Sequence, residues 1–153
     1  MLREFLVAFC IGAICVVIHI TTLMLLVEML ALRRHRFARR LGFRHLTPLL
    51  MLIFFVITTL HVLAACIWAT FYTWYKLFPD WETSLYFSLS SYTTIGYGDT
   101  VLPQAWRLLG AMEGLLGVLL CGVSTAFLFA IINVIFRMRV DHVYGEDVLL
   151  RIK

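Results

Sequence analysis

The residues best placed to do chemistry in this chain are Thr93-Thr94-Ile95-Gly96-Tyr97-Gly98-Asp99. Glycine alternates with larger residues at Gly96 and Gly98, and glycine enters positive φ without the Cβ clash other residues suffer. A strand that alternates handedness residue by residue can turn successive carbonyl oxygens to one side, which an ordinary β-strand cannot do. A row of carbonyls on one side can replace the water shell of a cation. The stretch lies between two long apolar segments, which places it at or inside a membrane. No nucleophile, catalytic dyad or metal-ligand cluster accompanies it in the sequence, so the expected chemistry is ion binding, not catalysis.

The elements that must hold this stretch are apolar. Of 153 residues, 62% are hydrophobic and 14% charged, whereas soluble domains run nearer half apolar and a quarter charged. This predicts an all-α integral membrane protein with three transmembrane helices and a shorter, re-entrant helix. The net charge of +4 comes from Arg residues beside apolar blocks, a pattern that fits membrane orientation better than nucleic-acid binding. Cys10, Cys15, Cys66 and Cys121 fall inside apolar blocks without CxxC spacing, and are expected to be small buried hydrophobes.

Residues 1–32 predict a spanning helix, since about 20 apolar residues suffice to cross the hydrocarbon core. A cleaved signal peptide fits less well, because the run is too long and no small-x-small site ends it. Residues 33–46 form a basic linker with Arg33, Arg34, Arg36, Arg39, Arg40 and Arg44. These arginines are bunched in a linker, whereas a voltage sensor spaces Arg every third residue along an apolar helix. They predict a cytoplasmic linker and contact with anionic lipid headgroups.

Residues 47–76 predict a second spanning helix, with Pro48 in its first turn and Trp68, Tyr72, Trp74 and Tyr75 forming an interfacial aromatic belt. Pro79 breaks it. Asp80 then caps a helix over 81–93, too short to span and tolerated at membrane depth only when buried in protein. Its carboxyl end carries partial negative charge, which favours cations. Residues 104–138 predict a third spanning helix of roughly 50 Å, and 140–153 a short cytoplasmic tail. The Arg linker and Arg137 agree on orientation, with the amino terminus external and the carboxyl terminus cytoplasmic.

Thr94-Ile95-Gly96-Tyr97-Gly98-Asp99 resembles the selectivity filter of the potassium channel family, and its helix, half-helix, filter, helix context resembles the prokaryotic-type pore domain over 47–139. The resemblance implies a homotetramer in the plasma membrane, passing K⁺ through a ring of backbone carbonyls. It assigns K⁺ coordination to Thr94, Ile95, Gly96 and Tyr97, with Gly98 completing the filter, and implies no cofactor besides the transported ion. Tyr97 would turn outward against Tyr86 and Phe87. Ser90 stands where several bacterial relatives place a glutamate, so Asp99 needs another partner, Trp81 or Tyr86. The helix over 1–32 is additional to the minimal pore and is expected to pack outside it, against lipid. The competing readings are a non-selective cation channel of the same fold, a potassium transporter subunit and a non-conducting regulatory subunit.

Thr93 and Glu113 complete the expected support around the filter, with Glu113 hydrogen-bonding to Ser90, Ser91 or Thr93. Gly110 and Gly114 suit close helix packing. Gly117 and Gly122 suit either packing or a gating hinge. Asn133 faces either the conduction path or a neighbouring helix, while Phe129 and Phe136 either narrow the inner pore or face lipid. His61 fits a helix-packing role better than a sensor.

Overall fold

A computed structural model describes residues 2–32 and 43–144, with side chains over 2–32 and 46–137. The expected lipid contacts of Arg33, Arg34, Arg36, Arg39 and Arg40, the side chain of Arg44, and residues 145–153 of the tail lie outside that description. The described residues form helices α1 (Leu2–Leu32), α2 (Phe43–Trp74), α3 (Trp81–Tyr92) and α4 (Arg107–Tyr144), with a 3₁₀ turn at Gln104–Trp106 before α4. Three of them, over Leu2–Leu32, Leu46–Trp74 and Gln104–Arg137, are long and apolar enough to cross a membrane. The chain is an all-α, multi-pass membrane protein.

Helix α2 begins at Phe43, four residues before the expected start, so Pro48 sits inside the helix. There it withholds the N–H that the Arg44 carbonyl would otherwise receive. The helix ends in a Schellman motif. Lys76 adopts φ 53, its N–H donates to the Thr73 carbonyl at 3.0 Å, and the Leu77 N–H donates to the Tyr72 carbonyl at 2.9 Å. Those bonds satisfy carbonyls that the helix end would leave open. Asp80 then caps α3, accepting from the Thr83 N–H at 2.7 Å and the Thr83 hydroxyl at 3.0 Å. These bonds hold the Asp80 carboxyl below its ordinary range, the backbone N–H having the larger effect.

The aromatic belt divides. Trp68 and Tyr72 are buried core residues, and only Trp74 and Tyr75 of the four are exposed. Tyr72 turns inward because it packs edge-on against Phe78 and Phe87 and donates to a buried carboxyl. The cysteines divide as well: Cys15 is buried and Cys66 half-buried, while Cys10 and Cys121 lie on outward faces.

The additional helix α1 is not confined to the lipid side. Gly12 lets it approach Leu116 of α4, the Glu4 carboxylate accepts from the Leu108 N–H at 3.3 Å, and the Arg3 guanidinium lies 4.2 Å over the Trp106 ring. Glu4 thereby receives a first-turn donor of α4 that has no partner within its own helix. Helix α4 runs unbroken for 38 residues, about 57 Å at the helical rise.

Candidate functional site

Helix α3 leads straight into segment 94–99. Its last carbonyls are occupied by the chain that follows. The Leu89 carbonyl receives the Thr93 N–H at 3.1 Å and the Thr93 hydroxyl at 2.6 Å. The Ser91 carbonyl receives the Thr94 N–H at 2.9 Å, and the Ser90 carbonyl the Gly96 N–H at 3.1 Å. The Tyr97 N–H reaches the Ser90 hydroxyl oxygen at 3.4 Å. Ser90 thus supports the segment with both backbone and side chain.

Positive φ recurs at every second residue: Thr94 at 60, Gly96 at 54 and Gly98 at 79. The glycines were expected to adopt it. Thr94 was not, because a β-branched residue there is strained by about 1–3 kcal/mol. The bonds from Thr94, Gly96 and Tyr97 back to α3 hold the strained turn in place. A Cβ at Gly96 or Gly98 would meet nothing within 4 Å, so glycine is needed at these two positions for backbone conformation, not for space. Ile95 and Tyr97 are largely exposed on the isolated chain. Beside them an open cleft of about 400 Å³ runs between segment 94–99 and α4, lined by Ser91, Thr94, Gly96, Gly110, Gly114 and Val118 among others.

The outer end is braced by aromatic residues. The Tyr86 ring lies 6.4 Å from Tyr97 and 7° from parallel, while its hydroxyl donates to Asp99 Oδ2 at 2.8 Å. Of the two partners offered for Asp99, Tyr86 is the one that meets it. The same bond raises the Tyr86 phenol above its ordinary range, since the carboxylate acceptor favours the protonated form. Phe87 does not join Tyr86 at Tyr97. It points inward, packing on Phe78 at 4.9 Å between centroids and lying across Gly110, where a Cβ would come 3.0 Å from its ring.

Glu113 is fully buried, with partners other than those expected. Tyr72 donates to its Oε2 at 2.7 Å, and Ser88 meets its Oε1; no bond to Ser90, Ser91 or Thr93 is found among the described residues. Ser88 Oγ also lies 2.8 Å from the Ala65 carbonyl, which can only accept. A hydroxyl has one proton to give. If Ser88 donates it to Ala65, the proton between Ser88 and Glu113 belongs to the carboxyl, and every polar atom of this cluster is satisfied. The cluster ties α2, α3 and α4 together behind segment 94–99. A signal for it was present in the sequence: Ser84, Ser88 and Ser91 recur at i, i+4 and i+7, a polar stripe down one helix face.

Gly114 and Gly117 are positions where α3 and α4 touch backbone to backbone. A Cβ at Gly114 would come 3.0 Å from the Ser91 carbonyl, and one at Gly117 would overlap the Tyr92 carbonyl oxygen. Gly122 has nothing within 4 Å of a would-be Cβ. Further along α4, Phe129 and Phe136 are exposed and Asn133 is half-buried. Their spacing of four and three residues puts the three on one helix face.

Residues 60–134 match a family model described as an ion channel. This segment resembles an ion channel. It takes in the second half of α2, all of α3, segment 94–99 and α4 as far as Val134, and excludes α1. No curated protein and no solved structure matches the chain. The match points to transport of ions through a membrane domain.

Proposed function

We propose that this chain is the subunit of a potassium-selective channel, a homotetramer in which four copies of segment 94–99 surround one conduction path. The observation that carries this reading is the positive φ at Thr94, Gly96 and Gly98. Alternating the sign of φ turns successive peptide planes the same way, so the carbonyls of Thr94, Ile95, Gly96 and Tyr97 can present one row of oxygens. A single row cannot enclose a cation. Closed cyclic symmetry supplies the remaining rows, and the exposure of segment 94–99 and the open cleft beside it fit a surface that neighbouring copies cover.

K⁺ then sheds water, binds at successive carbonyl rings and moves by displacement from one site to the next. Tyr86, Asp99, Ser90, Thr93 and the Glu113 cluster hold the rows at their spacing, and Phe87 fills the space behind them. Phe129, Asn133 and Phe136 line the inner path, and Gly122 offers the hinge in α4. In this reading the Arg linker faces the cytoplasm and anionic lipid of the plasma membrane, the amino terminus lying outside.

Purified chain in liposomes tests the reading directly. Reversal potentials in opposed K⁺ and Na⁺ gradients should follow the K⁺ gradient. Equal permeability would make the chain a non-selective cation channel, and well-formed tetramers without flux would make it a regulatory subunit.

A further inference from the structure

Helix α1 is joined to the end of α3 by a chain of hydrogen bonds that the ion path does not use. His19 Nε2 of α1 lies 2.8 Å from the Ser124 hydroxyl oxygen of α4. His61 Nε2 of α2 lies 3.0 Å from the same oxygen, and His61 Nδ1 lies 2.8 Å from the Tyr92 hydroxyl of α3. The two imidazoles are 5.0 Å apart. Four helices meet at this chain, and its last member, Tyr92, stands two residues before Thr94, with its carbonyl against Gly117.

Proton counting restricts how the chain can be filled. Ser124 has one proton and two imidazole partners, so at most one ring can accept from it and at least one must donate to it. In one arrangement Tyr92 donates to His61 Nδ1, His61 Nε2–H donates to Ser124, and Ser124 donates to His19 Nε2. In the other every bond is reversed: His19 Nε2–H donates to Ser124, Ser124 to His61 Nε2, and His61 Nδ1–H to Tyr92. His19 Nδ1 is buried with no hydrogen-bond partner, so nothing at that end selects between the two. An added proton does select. A doubly protonated His61 can only donate, which sends the Ser124 proton to His19 and compels Tyr92 to accept where it had donated.

We propose that α1 is a proton-responsive clamp on the end of α3, in which His19 and His61, coupled through Ser124, bind a proton as one unit and reverse the hydrogen bond to Tyr92. The titratable groups around the pair are Cys15 from α1, Tyr92 from α3, and Cys121 and Glu113 from α4. Cys121 Sγ is 4.0 Å from His61 Nδ1, and Glu113 is in electrostatic range of Cys15 and Tyr92. Glu113, the one acid among them, hydrogen-bonds to Tyr72 and Ser88 and not to either imidazole. The crevice lined by Cys15, Ile18, His19, Leu60 and Ala64 has no space for water, which leaves the side-chain path through Ser124 as the link between the rings. Proton uptake turns Tyr92 from donor to acceptor two residues before Thr94, and so changes the bond that holds the end of α3 beside the turn.

The effect on ion flow rests on the channel reading; the effect on the hydrogen bonds does not. Purified chain in liposomes should pass K⁺ at rates that differ by at least about threefold between about pH 8 and about pH 5. His61→Gln, which keeps a donor and an acceptor but does not titrate, should remove that dependence, and His19→Gln should shift its midpoint. In parallel, ¹⁵N-histidine and ¹³C-tyrosine spectra of the wild-type chain in bilayers should show one proton taken up by the pair together with a shift of the Tyr92 ring carbon. Independent titration of the two rings, or a Tyr92 resonance unmoved by acid, would overturn the clamp, and the wild-type spectrum decides this even where a variant misfolds. A wild-type chain that passes no K⁺ at any pH would instead count against the channel reading, with the spectra still deciding the clamp.

Discussion

The Tyr86 hydroxyl donates to Asp99 Oδ2 at 2.8 Å, so one side chain of α3 ties down the outer end of segment 94–99, whose Tyr97 it also stacks upon. Tyr86→Phe keeps the ring and removes the bond. It should leave the fold and the stacking intact while speeding the decay of K⁺ flux after opening by a few-fold, because the Asp99 carboxylate loses its phenol donor. Tyr86→Ala, which loses both contacts, should be the more severe variant. Flux time courses from liposomes check the order, and equal decay in wild type and Tyr86→Phe would show that the bond does not steady segment 94–99.

Glu113 offers a test of hydrogen bonding against charge. If the carboxyl carries the proton it shares with Ser88, glutamine reproduces both bonds, accepting from Tyr72 and donating to Ser88. Glu113→Gln should therefore change stability by less than about 1 kcal/mol, whereas Glu113→Ala should cost about 2–4 kcal/mol by leaving a cavity and stranding the buried Tyr72 hydroxyl, Ser88 keeping its bond to Ala65. Thermal unfolding in detergent measures both. A Gln variant as unstable as the Ala variant would mean that the cluster needs a carboxylate.

The two mid-helix glycines should respond oppositely to a methyl group. Gly117→Ala drives a Cβ into the Tyr92 carbonyl and should destabilise by roughly 1–3 kcal/mol through overpacking. Gly122→Ala meets nothing within 4 Å and should stabilise the helix by about 0.5–1 kcal/mol. Any effect of Gly122→Ala on open probability would then report hinge bending alone. Unfolding midpoints and single-channel records of the two variants, taken together, separate packing from hinging.

Asp80 predicts a pH dependence at the start of α3. Its carboxyl is held below the ordinary range by the Thr83 N–H and hydroxyl. A depressed folded-state value contributes stability that is full above the unfolded value of about 3.9 and lost as pH falls through the folded one. Wild type should therefore be more stable than Asp80→Ala at neutral pH, and the difference should close below about pH 4. A gap that persists unchanged in strong acid would rule out the capping carboxylate as its source.

The sequence alone determined the membrane class, the three spanning helices, the short helix capped by Asp80 and the Gly96–Gly98 alternation, because each follows from signals local to a few turns of chain. Apolar length decides whether a segment can cross a bilayer, and glycine is the residue that enters positive φ at no steric cost. The tertiary structure decided what side chains far apart in sequence do to one another. It turned Trp68 and Tyr72 from an interfacial belt into core, gave Glu113 to Ser88 and Tyr72, sent Phe87 inward, and held the β-branched Thr94 in a conformation that its type disfavours. It also set α1 against α4 through Glu4 and His19, although nothing in an apolar run announces which neighbour it will meet. In each case the deciding term is the pairing of a buried polar or aromatic group, and which pairs form depends on how the helices are arranged in space, which no window along the chain contains.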